Sequence, residues 1–528
     1  MQLLQERELP KTGTSRATET GSNLLLILWP MFVLSCYFNL SIARIFMAAK
    51  VVEQEVTKVT PLRSHSSSAQ ELTLPLTYFD ILWLKFPPVE RIFFYEITGL
   101  ASDFFNSEIV PRLKHSLSLT LLHYLPLAGS IVWRPQAQDQ QQQPVIYYSP
   151  DDDDYGVSVT VAVSCNNDFS HLSGNGIRGD VEFHPLVPQL SISDDKAEIV
   201  AAQITLFPDR GFSIGVSSHH AILDGKSTTM FVKSWAYLCK QLAELEQEPS
   251  NVNVLPELLT PVFDRTLIKD PKGLYIRYFN MWFSSDPSSK PSLKVLPPVS
   301  VDFNKLVRAS FVLTREDIKK LRDSINDLND SKQKQLHLST YVLTLAYAYV
   351  CIVNAKREEE AAAAANRDVI FGFPVDYRSR LNPSAPLNYF GNCVGRVAEF
   401  AKASDFMQLE KGFAFAVEKL SDLVKGIDAD AFEGSKEQIA QIMAKLKQGA
   451  LLLSVAGSTH FDVYGSDFGW GRPKKVEIMS IDVSGAVSLA ESRDGCGGVE
   501  VGVVLEKPQM EAFASLFRYG LDASDAPR

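Results

Sequence analysis

Between Gly211 and Ser218 the apolar residues Phe212, Ile214 and Val216 alternate with small or polar ones, a period of two that predicts a half-buried strand ending on His219-His220. Gly225 punctuates the turn after Asp224, and Phe231, Trp235, Leu238 and Cys239 then recur at helical spacing, predicting a helix from about Ser227 to Lys240. Strand, turn and helix thus bring His220 and Asp224 into one short connection. Upstream, the valines of 51–59 predict a first strand, Leu72 to Leu84 a lead-in loop carrying aromatic residues, and Phe93 to Ile97 a second strand. Leu113 to Leu125 predicts a helix stopped by Pro126-Leu-Ala-Gly129, followed by a strand at Ser130 to Trp133. Ile199 to Leu206 pairs with Gly211 to Ser218 as a hairpin around Pro208 and Asp209. Downstream, strands are predicted at Leu306 to Leu313, Val369 to Val375, Ala486 to Leu489 and Val499 to Leu505. Helices are predicted from Thr314 to Leu328, Ser339 to Ala355, Gly412 to Lys425, Lys436 to Leu453 and Pro508 to Tyr519. Thr314-Arg-Glu-Asp317 has the form of a capping box with Asp in place of Glu.

This mixture of strands and helices belongs to the α/β class. At 528 residues the chain exceeds one ordinary core, so two domains are expected. Residues 246–300, rich in Pro, Ser, Asp and Asn with little periodicity, are the expected crossover between a domain at 47–245 and one at 301–528. Residues 1–46 differ in character. A polar leader precedes the apolar stretch Leu24 to Phe38, which at ~15 residues is short of the roughly 20 that span a bilayer. It suits a signal or anchor, an unstructured leader, or a segment upstream of a functional start at Met47. The six cysteines favour the last: they are scattered, form no CxxC pair, and fit free thiols in a reducing, cytoplasmic compartment. A net charge of -10 argues against nucleic-acid or anionic-membrane binding, while leaving room for a local basic pocket. A monomer is expected, without stable membrane association unless residues 24–38 are retained.

His220 at a strand end can act as a general base, because an imidazole pKa near ~6.5 leaves the ring neutral at physiological pH. The same spacing suits two histidines that are simply satisfied polar groups. It also suits a His-His-x-x-x-Asp metal site, but no second ligand cluster completes one, and no metal is expected. Asp224 can order the turn instead of reacting. Arg178, in a glycine-rich loop, can either reach a ligand carboxylate with both guanidinium nitrogens or lie on the surface. Arg378 and Arg380 flank a proline turn and can pair with a distant carboxylate. Near the end, Asp467, Gly469 and Gly471 suit a turn needing positive backbone torsions, with Phe468 and Trp470 as apolar anchors.

Taken together, His220-Ala-Ile-Leu-Asp224-Gly and Asp467-Phe-Gly-Trp-Gly471 resemble the paired signatures of the plant BAHD acyl-CoA-dependent acyltransferases, a resemblance running from Met47 to the C-terminus. Tyr389-Phe-Gly-Asn-Cys393, with Asp376 to Arg380 before it, is similar to the subgroup that acylates sugars of anthocyanins, flavonoids and other phenolic glucosides, commonly from malonyl-CoA. The resemblance implies a chloramphenicol acetyltransferase-like fold of two similar-sized domains, each a mixed sheet flanked by helices, with an active-site channel between them. It implies that His220 deprotonates the acceptor hydroxyl and that Asp224 supports the loop, with Arg378 or Arg380 as its partner. Asp467, Phe468, Gly469, Trp470 and Gly471 would maintain the CoA channel, and Arg178 would meet the malonyl carboxylate. The implied co-substrate is an acyl-CoA, malonyl-CoA first, with a glycosylated phenolic acceptor and no permanently bound cofactor. Hydroxycinnamoyl- or acetyl-CoA donors, and a catalytically silent binding protein, are the alternatives on the same scaffold. Thr459-His460 departs from the Pro and basic residue that the family commonly carries before its glycine-rich motif.

Overall fold

The computed structural model describes residues 51–62, 71–135, 142–152, 154–165, 168–244, 254–283, 291–296, 301–329, 334–356, 365–427 and 435–522. The leader 1–46, with its apolar stretch 24–38, lies outside them, as do most of the glutamine run and of the segment 357–365. Gly211–Ser218 is a strand in a six-stranded mixed sheet, ordered Val51–Val59, Val157–Ser164, Val200–Phe207, Gly211–Ser218, Val89–Glu96 and Lys475–Ile478. Its hairpin with Val200–Phe207 is antiparallel, in the register Gly211 to Phe207 through Ser218 to Val200.

The strand is buried at all of its positions and not only on one face. Phe212, Ile214 and Val216 enter the main apolar core. The small residues of the other face lie against a second stretch of backbone: a Cβ on Gly215 would stand 2.1 Å from the Leu186 carbonyl oxygen, and Ser217 Oγ donates to the Pro188 carbonyl. Alternating small residues therefore mark close backbone packing here, not solvent.

The two halves of the chain exchange edge strands. Lys475–Ile478 joins the first sheet beside Val89–Glu96. In return, Arg178–Gly179 pairs with Leu306–Leu313 in a second sheet ordered Val455–Gly457, Val487–Glu491, Val499–Glu506, Leu306–Leu313 and Arg178–Gly179. Asp368–Asp376 pairs on one side with Val394–Lys402 and on the other with Leu451–Leu453. A fourth sheet joins Leu72–Pro75, Gln142–Tyr148, Ser130–Pro135 and Lys196–Glu198. Several expectations need correction. Leu72 to Leu84 holds this edge strand and a short helix, Tyr78–Leu82, capped by Thr77. The crossover 246–300 includes the helix Leu274–Phe283. The predicted Lys436–Leu453 helix stops at Lys447, because Gly449 turns the chain with φ 84° and Leu451–Leu453 pairs as a strand. No described helix is long and apolar enough to cross a membrane.

Where the halves interlace, buried charges face one another. Arg178 and Arg308 are in register on adjacent strands, and both reach Glu477, at 2.8 and 3.4 Å. Arg308 also pairs with Asp180 at 2.7 Å, and His184 bridges Asp180 at 3.2 Å and Asp482 at 2.9 Å. Burial opposes a charge on His184, but the hydrogen bonds to Asp180 and Asp482 outweigh it and hold the pKa up at about 9. A pKa raised from about 6.5 in the unfolded chain gives stability that is complete below pH ~6.5 and is lost as pH rises through about 9, at most ~3 kcal/mol. Chemical denaturation at pH 6.5 and pH 9.5 should therefore show a drop in stability that shrinks markedly in His184→Gln; an undiminished drop would place its origin elsewhere.

Candidate active site

His219 and His220 follow the strand directly and differ in their surroundings. His219 is fully buried, and its Nδ1 accepts the Ala221 N–H at 3.2 Å, so the ring serves the turn. Burial drives its pKa down to about 3. The His220 ring lies flat against Trp83, with centroids 4.3 Å apart and planes 2° from parallel, and Phe86 meets it edge-on at 6.2 Å. Its backbone carbonyl accepts from Asn392 Nδ2 at 2.8 Å, and Asn392 also donates to the buried Asp80 carboxylate. Burial again dominates and lowers the His220 pKa to about 4, against weaker upward pulls from its own backbone and from Asp224. The imidazole is therefore neutral at physiological pH, oriented by stacking and with its Nδ1 enclosed.

Asp224 spends both carboxylate oxygens on structure. Oδ1 accepts the Ser227 N–H at 2.8 Å, capping the helix Gly225–Glu244. Oδ2 accepts Arg378 Nη2 at 2.8 Å and the Cys393 N–H at 3.1 Å. Arg378 is wholly buried and divides its remaining donors among Asp376, Ser227 Oγ and the carbonyls of Tyr389 and Gly391. Arg380 is exposed and donates to the Asp376 carbonyl, so of the two arginines Arg378 is the partner of Asp224. The Tyr389–Cys393 segment is thereby pinned behind the histidine turn. Gly391 is obligatory there, since its φ is 144° and a Cβ would come within 2.1 Å of Arg265 Nη1.

The glycine-rich motif lies elsewhere on the same two elements. Asp467 Oδ1 accepts the N–H groups of Gly469 and Gly471, at 2.8 and 2.9 Å, and Oδ2 pairs with Lys240 at 2.8 Å. Phe468 is buried edge-on to Trp235 at 5.1 Å and to Tyr95 at 5.8 Å, while Trp470 packs on Phe212 at 5.6 Å beneath the Arg112 guanidinium. Trp235 is ten residues along the helix from Gly225, ~15 Å, and Phe212 is six residues back along the strand from Ser218, ~20 Å. The motif clamps the far ends of both elements and stands well away from the imidazole.

Arg178 requires a correction. The expected malonyl contact has only 1% of its side chain exposed; Nη1 pairs with Glu477 and bonds the Leu172 carbonyl, while Nε bonds the Gly176 carbonyl. Its charge is spent inside the fold, because the short strand that carries it is inserted beside Leu306–Leu313. Thr459-His460 lies in an exposed turn, with the His460 N–H on Ser458 Oγ. Sequence patterns did not single out Trp83, Phe86 or Lys240, and marked Asn392 only as part of the Tyr389–Cys393 segment, without a role. The Trp83-to-Phe86 aromatic spacing was visible, but nothing in it points across the chain to residue 220.

The description "Transferase family" matches residues 50–518 as a family model. An Arabidopsis thaliana malonyl-CoA:anthocyanidin 5-O-glucoside-6''-O-malonyltransferase is 46% identical over 89% of this chain and 98% of its own length. Phenolic glucoside malonyltransferase 1 from Arabidopsis thaliana is 44% identical over 89% and 97%, and an agmatine coumaroyltransferase from the same plant is 37% identical over 89% and 99%. Among solved structures, vinorine synthase superposes with a TM-score of 0.60 at 21% identity, covering 88% of this chain and 98% of that one. TRI101 of F. graminearum in complex with ethyl coenzyme A gives 0.57 at 13% identity, covering 84% and 97%. These two share the fold. The chain belongs to this transferase family, the BAHD acyl-CoA-dependent acyltransferases, and is an enzyme of the acyltransferase class.

Removing the charge from Asp224 would leave Arg378 buried beside one partner fewer. Asp224→Asn is expected to lose about 3 kcal/mol of stability, measurable by denaturant titration. A change within experimental error would mean that the pair does not hold the loop.

Proposed function

We propose that this enzyme transfers a malonyl group from malonyl-CoA to a sugar hydroxyl of a phenolic glucoside, such as a flavonoid or anthocyanin glucoside, with His220 as general base. The observation that carries the mechanism is the His220 ring itself, neutral, stacked on Trp83 and enclosed at Nδ1, so that Nε2 is the nitrogen left for a substrate. Nε2 takes the acceptor hydroxyl proton as the oxygen attacks the thioester carbonyl. The tetrahedral intermediate collapses with cleavage of the C–S bond, and the imidazolium returns the proton to the departing CoA sulfur. No acyl-enzyme is required. While protonated, the ring lies on the face of Trp83, a favourable place for a cation. Asp224 and Arg378 hold the turn, and Asp467 to Gly471 keep the strand and helix aligned along the CoA side of the channel implied by the fold. The choice of malonyl and glucoside rests on relatives of 46% and 44% identity that carry those names. Coumaroyl transfer is the second reading, supported by the 37% identical agmatine coumaroyltransferase and by the aromatic walls of the site. A monomeric, cytoplasmic enzyme is proposed on composition and on the free thiols among the described residues.

His220→Ala should lower kcat by about 10²- to 10⁴-fold with an unchanged melting temperature; near-normal turnover would remove His220 from the mechanism. Because the histidine pKa is depressed to about 4, the acid limb of kcat/KM should fall near pH 4 to 5 in place of ~6.5. Assaying the purified chain with malonyl-, acetyl- and coumaroyl-CoA against a panel of flavonoid glucosides should give malonyl-CoA the highest kcat/KM. Preference for coumaroyl-CoA would favour the second reading, and binding without transfer of any acyl group would indicate a silent scaffold.

A further inference from the structure

The arginines buried elsewhere in the fold each have carboxylate, hydroxyl or carbonyl partners, although Arg91 Nε, Arg178 Nη2 and Arg265 Nε are themselves unpartnered among the described residues. Arg178 and Arg308 face Glu477, Arg378 faces Asp224, Arg265 donates to the Tyr389 hydroxyl and the Phe390 carbonyl, and Arg91 to Thr229 Oγ1 and the Gly225 carbonyl. Arg396 is different. It is partly buried on the strand Val394–Lys402, opposite Pro374, and has no hydrogen-bond or ion-pair partner among the described residues. Burial lowers its pKa, with only the Tyr278 phenol pulling the other way.

Two routes lead from Arg396 to the reacting histidine. Two residues back along the strand, ~7 Å, the Val394 carbonyl accepts the indole N–H of Trp83 at 3.3 Å, and Trp83 is the ring stacked on His220. On the other side, Tyr278 neighbours Arg396 and lies on the helix Leu274–Phe283, where Trp282, four residues on, shares its face. Trp282 meets Phe86 edge-on at 6.2 Å, and Phe86 in turn meets His220 at 6.2 Å. Arg396 is thus linked, through the Val394 carbonyl on its own strand and through the helix of Tyr278, to the two ends of the aromatic set that meets His220. A largely covered guanidinium without a counter-charge is costly, and a planar carboxylate satisfies it with two parallel hydrogen bonds. In malonyl-CoA the free carboxylate carbon lies only two bonds from the thioester carbonyl carbon that is attacked, so any cation that grips it must stand close to His220.

We propose that Arg396 receives a substrate carboxylate beside His220, that of the malonyl group in the donor, and thereby selects a carboxylated acyl group over a neutral one. The inference rests on the malonyl-transfer reading. It also fills the role that Arg178, bound to Glu477, does not perform. Its test compares the wild-type enzyme with Arg396→Gln and Arg396→Lys, using malonyl-CoA and acetyl-CoA with one uncharged phenolic glucoside, and acetyl-CoA with a carboxylated and an uncharged acceptor. In Arg396→Gln the malonyl-to-acetyl ratio of kcat/KM should fall by about 30-fold or more, and Arg396→Lys should recover part of it. Equal losses with both donors, or no loss, would overturn the assignment and leave Arg396 a structural residue. A loss confined to the carboxylated acceptor would move the recognised carboxylate from donor to acceptor and likewise overturn it. A wild-type enzyme that transfers acetyl or coumaroyl but not malonyl groups would instead sink the malonyl reading, an outcome seen before any variant is made.

Discussion

The Asp224–Arg378 ion pair is the interaction on which the site depends. Neither charge has appreciable access to solvent; Arg378 is the ion-pair partner of Asp224, and Asp224 and Asp376 together balance Arg378. Together they join three parts of the chain that are far apart in sequence: the turn after His220, the start of the Gly225–Glu244 helix and the Tyr389–Cys393 segment. Asn392, fixed by that arrangement, then holds the His220 carbonyl. The aspartate of the motif is therefore a structural charge, and the specificity of the motif lies in what it fastens.

The same economy of buried charge binds the two halves of the chain. Arg178, Arg308, Glu477, Asp180, His184 and Asp482 come from both halves and meet where strands are exchanged. Arginine is suited to this role because its fork satisfies several acceptors at fixed angles. A cluster this enclosed restricts how far either half can shift independently, since any displacement would separate buried charges such as Arg178 and Arg308 from their carboxylate partners.

Period and punctuation made much of the architecture legible. The hairpin ending on His219, the capped helix after Thr314 and the helix after Ser339 lie within a few residues of their predicted limits. The failures share a cause. The three leucines at 451–453 continue a helical apolar run, and only the positive φ at Gly449 diverts them into a sheet. Arg178 in a glycine-rich loop looked available to a ligand, because a sequence does not show that a two-residue strand will carry it under Glu477 from 299 positions away. Arg396, embedded in Val-Gly-Arg-Val-Ala-Glu, resembles an ordinary solvated charge; that it lacks a counter-ion emerges only in three dimensions. Periodicity reports which face is covered, whereas the pairing of charges is set by contacts remote along the chain.

The low basicity of His220 has a consequence for the direction in which protons move. An imidazole whose conjugate acid has a pKa of about 4 is a reluctant base and, once protonated, a strong acid. In the proposed mechanism the proton lifted from the acceptor would be held only briefly, on a ring whose enclosed Nδ1 offers no second route for it, before passing to the emerging thiolate. The enzyme would thus return to its neutral resting form as CoA leaves, without drawing on solvent to reset itself between turnovers.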